Sequence, residues 1–469
     1  MSCSKALFVT LFTIVPMIIL SMVICAPSAD ADPSDTGQCG DDVYWTYYPY
    51  QSRLVIEGQG AIYDYSSSDE RWGGNLDNLD TSVTVEIGEG VTSIGEYAFS
   101  GCKSITSVAL PDSLTEIDSH SFLSCNNLPS ICIPKGVGTI GIDAFDYCSN
   151  LASIEVAEEN LVFQSHEGVL YTKGLTELMV CPCNKEGTYN MPDGVKVIRE
   201  NSFNTCEKLA EVALPDTLET IEGSAFWFCE SLDSLEIPKN VKSIGIQMAY
   251  ECPELQAINV DPDNKYYASD NGVLFDKNMN RILIYPQAKS GTSYDVPEGV
   301  QRIDDYAFSD CKNLTEVTLP KSLKTLGAFA FFKCSSLSKV TISYGLSKIT
   351  QSAFEECESL SEVIIPDSVT EIENWSFVGS NNITSITIPY SVSILGYNAF
   401  DVSFYSADGD KLNNTADNLR GHHFEKKDGK LQAVDPGVQT ISFEATGGNE
   451  VAPLTTSVDG RLSELPNTQ

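Results

Sequence analysis

Histidine is nearly missing from this chain: among 469 residues there are four, His120, His166, His422 and His423. No zinc-protease helix motif and no glycine-cradled phosphate loop accompanies them. The usual acid–base and metal-hydrolase constellations therefore have nothing to be built from. Positive charge is short as well. Twenty-nine Lys and Arg stand against 65 Asp and Glu, a formal net charge of −36, and no Lys/Arg cluster reverses it locally. Such a surface repels phosphate backbones and anionic lipids, which excludes nucleic acid as a partner. Long apolar runs are confined to one place. Residues Ala6 to Ile24 follow Lys5 and precede the small-residue site Ala29-Asp30-Ala31. This reads as a secretory signal over 1–31 cleaved after Ala31. The run also approaches the length of a membrane span, so the same segment could remain as an uncleaved anchor. Contact with a membrane is expected only through this segment, and the chain is expected outside the cell or on its surface.

What the chain has instead is repetition. A Phe and a Cys three residues apart return every 23 residues. The aromatic positions are Phe99, Phe122, Phe145, Phe203, Phe226, Phe308, Phe331, Phe354, Phe377 and Phe400. The thiols are Cys102, Cys125, Cys148, Cys206, Cys229, Cys252, Cys311, Cys334 and Cys357. A fixed period of this size means one supersecondary unit stacked on copies of itself. The unit LAEVALPDTLETIEGSAFWFCES, from Leu209 to Ser231, shows its parts. Leu209, Val212 and Leu214 alternate into a strand, and Pro215, with no backbone donor, ends its ladder. Leu218 and Ile221 form a second inward pair. Ala225, Phe226 and Cys229 turn the chain back as a short helical or 3₁₀ segment. The expected fold is a repeat solenoid, mainly β with short helical or 3₁₀ turns. One coil holds Ala249 where Phe is due, and Met248 or Tyr250 is expected to fill the space.

Two units are expanded, Phe145 to Phe203 and Cys252 to Cys311, by 35 and 36 residues. The extra segments match each other, EGVLYTKGLTELMVCP against NGVLFDKNMNRILIYP. Apolar runs flank a tight turn in both, which predicts β-hairpin inserts at about 157–194 and 261–298. The organisation that follows is a signal over 1–31, an N-terminal β cap over 39–81, repeats over 82–404, a linker or irregular cap over 405–437 and a partial β module over 438–469.

The Cys ladder has three readings: buried free thiols acting as small hydrophobes, disulfides between adjacent coils, or a metal site. Coils about 4.8 Å apart lie within the Cα range of a bridge, although parallel side chains rarely present the required dihedral. Thiols in a line do not enclose a tetrahedron, which counts against a metal. A bridge between Cys181 and Cys183, one residue apart, would be strained. Asp408-Gly409-Asp410 and Asp261-Pro262-Asp263-Asn264 lack the spacing of a calcium loop and read as solvated turns. No catalytic residue, metal ligand or cofactor is assigned. Strand alternation instead points a polar face outward, with Glu155, Glu211, Glu236, Asn259, Glu316, Thr318, Lys339 and Glu362 as candidate contacts for a protein ligand. A solvated sheet with no partner is the alternative. Asn313, Asn374, Asn382 and Asn413 begin Asn-x-Ser/Thr sequons.

The units SVTEIENWSFVGSNNITSITIP and DSLTEIDSHSFLSCNNLPSICIP resemble the BspA-type, or Treponema pallidum-type, leucine-rich repeat. The GVL-containing hairpins and the opening CGDDVYWTY are similar to inserts and an N-terminal region found in that family. The resemblance implies a right-handed leucine-rich-repeat solenoid and a surface-exposed or secreted protein that adheres to host matrix or microbial surface proteins; the scarcity of catalytic groups separately leads us to expect no enzyme activity. A structural spacer for a larger surface protein is the rival role. The closing run TISFEATGG resembles the first strand of a Listeria–Bacteroides repeat.

Overall fold

The computed structural model describes residues 35–66, 71–72, 76 and 82–434, together with the paired backbones of 440–441 and 454–455. The signal segment 1–31 lies outside the described residues. So does nearly all of 438–469, including the side chains of the run that resembles a Listeria–Bacteroides repeat. The chain divides into two units, Met1–Cys252 and Pro253–Gln469.

The first unit opens on an antiparallel meander of β1 (Asp35–Gly40), β2 (Asp42–Tyr48) and β3 (Arg53–Ala61). Strand β3 then pairs in parallel with β4 (Val83–Ile87) and, at its far end, with β5 (Val91–Ile94). From here the chain coils. A four- or five-residue strand buries alternate side chains, as in Ser130–Ile133, where Ile131 and Ile133 are buried. A proline closes it, and its carbonyl accepts the N–H three residues on, as Pro134 does from Val137. A two-residue strand follows, such as Glu116–Ile117, paired with its equivalents in neighbouring coils. The Phe–Cys turn then returns the chain to the next strand.

That turn is a hydrogen-bonded ladder in its own right. Tyr97, Phe99 and Gly101 donate their N–H groups to the carbonyls of Ser119, Ser121 and Leu123 in the next coil. The intervening Ala98, Ser100 and Cys102 donate within the turn, each to the carbonyl three residues back. Only every second residue therefore makes the 3₁₀-type bond that the sequence suggests. The alternation requires a left-handed residue two before and two after each ladder aromatic from Phe99 to Phe377, for example His120 (φ 57°) and Ser124 (φ 59°). Inside, the rings stack: Trp72 on Phe99 at 4.8 Å, Phe99 on Phe122 at 5.1 Å, Phe203 on Phe226 at 4.8 Å. At the exceptional coil, Met248 is completely buried and Tyr250 is half-buried, tilted against Trp227.

The ladder thiols are free, buried and directional. Cys125, Cys148, Cys229 and Cys252 each donate to the carbonyl of the Phe one coil earlier, at 3.0–3.2 Å. Burial holds the thiols of Cys125, Cys229 and Cys357 well above the usual range, so they stay protonated donors. In the second unit Ser380 takes the Cys position and makes the same bond, Oγ to Phe354 O at 2.9 Å. Cys229→Ala is therefore expected to destabilise the first unit by about 1–2 kcal/mol. Cys229→Ser, which keeps the donor, is expected to cost less. Thermal unfolding of the two variants separates a hydrogen-bonding role from simple space-filling, which would rank Ala and Ser alike.

Each insert is a coil of its own and carries one strand more than a hairpin. In the first, Phe163–His166, Val169–Thr172 and Glu177–Val180 form an antiparallel meander. Its last strand pairs in parallel with Val197–Ile198 and so rejoins the two-residue ladder. The first turn, Glu167-Gly168, has both residues left-handed (φ 50° and 77°), the geometry of a tight hairpin. A Cβ on Gly168 would meet Ser153 Oγ at 2.9 Å, because the hairpin lies against strand Ser153–Val156. Cys181 then occupies the Phe slot, donating its N–H to Ser202 O at 2.7 Å. The whole insert hangs on Asn160. Its Oδ1 accepts from the N–H groups of Val162 and Phe163, and its Nδ2 donates to the carbonyls of Pro134 and Val137.

The second unit repeats the scheme. The meander Tyr267–Asp270, Val273–Asp276 and Arg281–Ile284 leads to Tyr285 in the Phe slot, stacked on Phe308 at 4.8 Å. Asn264 opens it in the role of Asn160, accepting from Tyr266 and Tyr267. It is buried, so the Asp261–Asn264 stretch is not simply a solvated turn. Five parallel strands follow: Ser293–Asp295, Glu316–Leu319, Lys339–Ile342, Glu362–Ile364 and Ser385–Ile388. Within 405–437, an antiparallel hairpin of His422–Lys427 and Lys430–Val434 pairs with the last of them. Phe404 and Phe424 close the ring stack edge-on.

Candidate binding surface

The outward positions of the long strands are exposed or half-exposed throughout. In the second unit the register sets them in two rows. One row runs Ser293, Glu316, Lys339, Glu362, Ser385, Glu425, and the other runs Asp295, Thr318, Thr341, Ile364, Thr387, His423. Lys339 Nζ lies 2.6 Å from Glu316 Oε1, a hydrogen bond that raises the lysine's pKa. With Glu362 on its other side, the row alternates in sign. Next to it stands Ile364, 55% exposed, an apolar side chain among threonines. Thr387 Oγ1 is 2.7 Å from His423 Nδ1 at the end of the row.

Four of the eight candidates, Glu316, Thr318, Lys339 and Glu362, thus share one sheet. Asn259 sits apart, half-buried on a strand against which the second meander packs. In the first unit the face is divided. Glu155 lies on Ser153–Val156, hydrogen-bonded to Ser153. The insert meander then packs against that strand, with Ile154 N–H donating to Gly168 O at 2.8 Å. Glu211 lies beyond it on Leu209–Ala213, accepting from Thr188 Oγ1 at 3.1 Å, and Glu236 is exposed on Ser234–Ile237.

The turn side of the coils carries groups that strand alternation does not reveal. Two residues before the ladder Phe, aromatic rings stack again: Tyr97 on His120 at 4.6 Å and Tyr306 on Phe329 at 4.8 Å. The same 23-residue spacing applied to that position would have found them. His120 lies between Glu96 Oε1 at 3.6 Å and Asp143 Oδ2 at 3.7 Å.

Where the first insert enters, the turn ladder is interrupted. Cys181-Pro182-Cys183 does not accept the N–H groups of the coil before it, and side chains bridge instead. Asn201 Nδ2 donates to Asp143 Oδ1 at 2.9 Å, and Asn204 Nδ2 donates to Asp146 Oδ2 at 2.6 Å. Asp146 is 6% exposed. Burial, together with the neighbouring Asp143 carboxylate, pushes its carboxyl up to about 7 against the opposing bond from Asn204. The described residues contain no group of three or more His, Cys, Asp or Glu arranged to hold a metal, and no helix long and apolar enough to cross a membrane.

The sequence profile of the BspA type leucine rich repeat region matches this chain in six copies over residues 77–186, 181–286 and 284–405. Among solved structures, the chain is similar to a leucine rich cell surface protein from Faecalibacterium prausnitzii. The two are 25% identical with a TM-score of 0.51, over 79% of this chain and 96% of that one. It is also similar to a leucine-rich repeat protein from Eubacterium ventriosum, 25% identical with a TM-score of 0.45, over 75% of this chain and 95% of that one. No curated protein matches the chain.

Proposed function

The chain belongs to the BspA type leucine-rich repeat family, and on that ground we propose that it is a cell-surface adhesin that binds host or neighbouring-cell proteins through the sheet of its second unit. The observation that carries this reading is the five-strand parallel face with its alternating row Glu316–Lys339–Glu362 beside exposed Ile364. Repeat stacks present extended faces to macromolecules, and this one joins an apolar anchor to charges that set register. Asn259, in the same unit, is a further candidate contact, and Glu155, Glu211 and Glu236 are candidates on the first unit taken by itself. The chemistry fits a partner with a small apolar side chain and flanking basic groups.

Immobilised host matrix proteins and bacterial surface proteins, titrated with the chain, provide the test. Saturable binding to a member of either set is expected. Ile364→Asp should weaken it at least tenfold, and Glu316→Lys with Glu362→Lys should slow association and remove its salt dependence. Binding indifferent to all three substitutions would move the contact off this face. Absence of binding to both sets would favour a spacer.

A further inference from the structure

A cavity of about 260 Å³ opens on the turn side of the first unit, at the break in the ladder caused by the first insert. It is no part of the sheet of the proposed function and does not depend on it. Its wall includes Lys103, Tyr147, Cys183, Thr205, Glu207 and Lys208. Three features set it apart from the rest of the turn side.

The first is the backbone. In neighbouring coils the residue two after the ladder aromatic donates its N–H to the next coil: Gly101 to Leu123 O at 2.7 Å, Ser124 to Asp146 O at 2.8 Å, Thr205 to Trp227 O at 2.9 Å. Tyr147 has the same left-handed backbone, φ 58°, but the segment that follows it in the stack is Cys181-Pro182-Cys183. Among the described residues, the N–H groups of Asp143, Phe145 and Tyr147 find no acceptor. Such N–H groups on an alternating right- and left-handed backbone form a concavity that favours anions. The second is charge. Lys103 and Lys208 place two ammonium groups against the single carboxylate of Glu207, in a chain whose net charge is −36. Lys208 is steadied by Asn184 Oδ1, a residue of the insert. The third is the polar lining. Thr205 donates its hydroxyl proton to Cys183 Sγ at 3.1 Å, which leaves the oxygen to accept, and Ser124 and Ser149 add further hydroxyls.

We propose that this cavity binds a small carboxylate: a sugar acid or an acidic amino acid, with its carboxyl group on the Tyr147 N–H and the two lysine amines. The volume lies just below the roughly 300 Å³ at which pockets for larger organic ligands begin, so a single ring or one amino acid fits. The hydroxyl lining supplies partners for the remaining polar groups of either. The thiol of Cys183 is a wall and not a nucleophile, because burial raises its pKa.

Calorimetric titration of the full chain with glucuronate, with glutamate and with glucose tests the assignment. At least one acid is expected to saturate at millimolar concentration, with affinity falling as salt is added. Saturation by glucuronate alone assigns the sugar acid, and saturation by glutamate alone assigns the amino acid. Lys103→Glu with Lys208→Glu should weaken binding at least tenfold. The same protein should keep its thermal unfolding profile, since both lysines are exposed. Lys208→Gln should give a smaller loss in the same direction. No saturation by either acid, glucose binding as tightly as the acids, or unchanged binding in the double variant would each overturn the proposal.

Discussion

Phe331→Ala is expected to lower the stability of the second unit by about 3–5 kcal/mol. The ring is completely buried and stacked on both sides, 4.8 Å from Phe308 and 5.3 Å from Phe354. Its removal strips contact from two coil interfaces at once. In a stack whose stability is a sum of nearest-neighbour terms, neither interface can be rescued by a distant part of the molecule. The backbone sharpens the effect. Phe331 donates its N–H to Ala353 O at 2.9 Å, and its carbonyl accepts the thiol of Cys357 at 3.2 Å. A coil that collapses into the cavity therefore drags a ladder bond and a thiol bond with it. Tyr344→Ala is the matched control, because that ring is 65% exposed and should change stability by no more than about 0.5 kcal/mol. Urea midpoints of the two variants measure the difference. Equal losses would mean that the ring stack is not what holds the coils together.

The stack was legible in the sequence because every coil must bury the same side chains against its own copies, so the period survives drift at every other position. The matched inserts were legible for the same reason. What the sequence hid follows from how the turn is closed. Its left-handed residues include Tyr97, His120, Tyr306, Phe329 and Trp375, with glycine only at Gly101 and Gly379. The inter-coil N–H bonds hold these residues in place, and no glycine signal marks them. The first insert coil was hidden because Cys181, a small thiol, shares no chemistry with Phe, whereas Tyr285 keeps an aromatic ring in the slot before Phe308. The pairs Asp143–Asn201 and Asp146–Asn204 are 58 residues apart in sequence. Only the length of the intervening insert coil brings them together, and composition does not show it. Outward-facing strand positions are exposed or half-exposed, as alternation requires. Alternation shows which side chains point out but not which strands adjoin, so the division of that face by the first meander was not foreseen.

Asp146→Asn is expected to stabilise the first unit at neutral and alkaline pH and to flatten its response to pH. In the folded chain burial and the Asp143 carboxylate raise the Asp146 carboxyl from its ordinary value, 3.8, to about 7. The folded state thus keeps a proton that the unfolded state releases above about pH 4. The contribution of this group is fully present below the unfolded value and is lost as pH rises toward and through 7. Over that interval it amounts to about 4 kcal/mol, since each tenfold change in proton affinity corresponds to roughly 1.4 kcal/mol. The groups that face it are Asp143, which opposes ionisation, and Asn204, whose Nδ2 favours it; the Tyr147 hydroxyl and the Cys183 thiol are held protonated by burial and also by the Asp146 charge. Asparagine preserves shape, accepts from Asn204 and never ionises, so the variant should lose the decline between pH 5 and pH 8 that is expected of the parent. Asp146→Ala separates charge from packing, because it removes the titration but also orphans the Asn204 amide, and should be less stable than Asp146→Asn at every pH. Urea unfolding at pH 5 and pH 8 gives the slope for each protein. A parent and an Asp146→Asn variant that decline in parallel would show that the buried carboxyl does not govern the junction, and that its proton is lost well below neutrality.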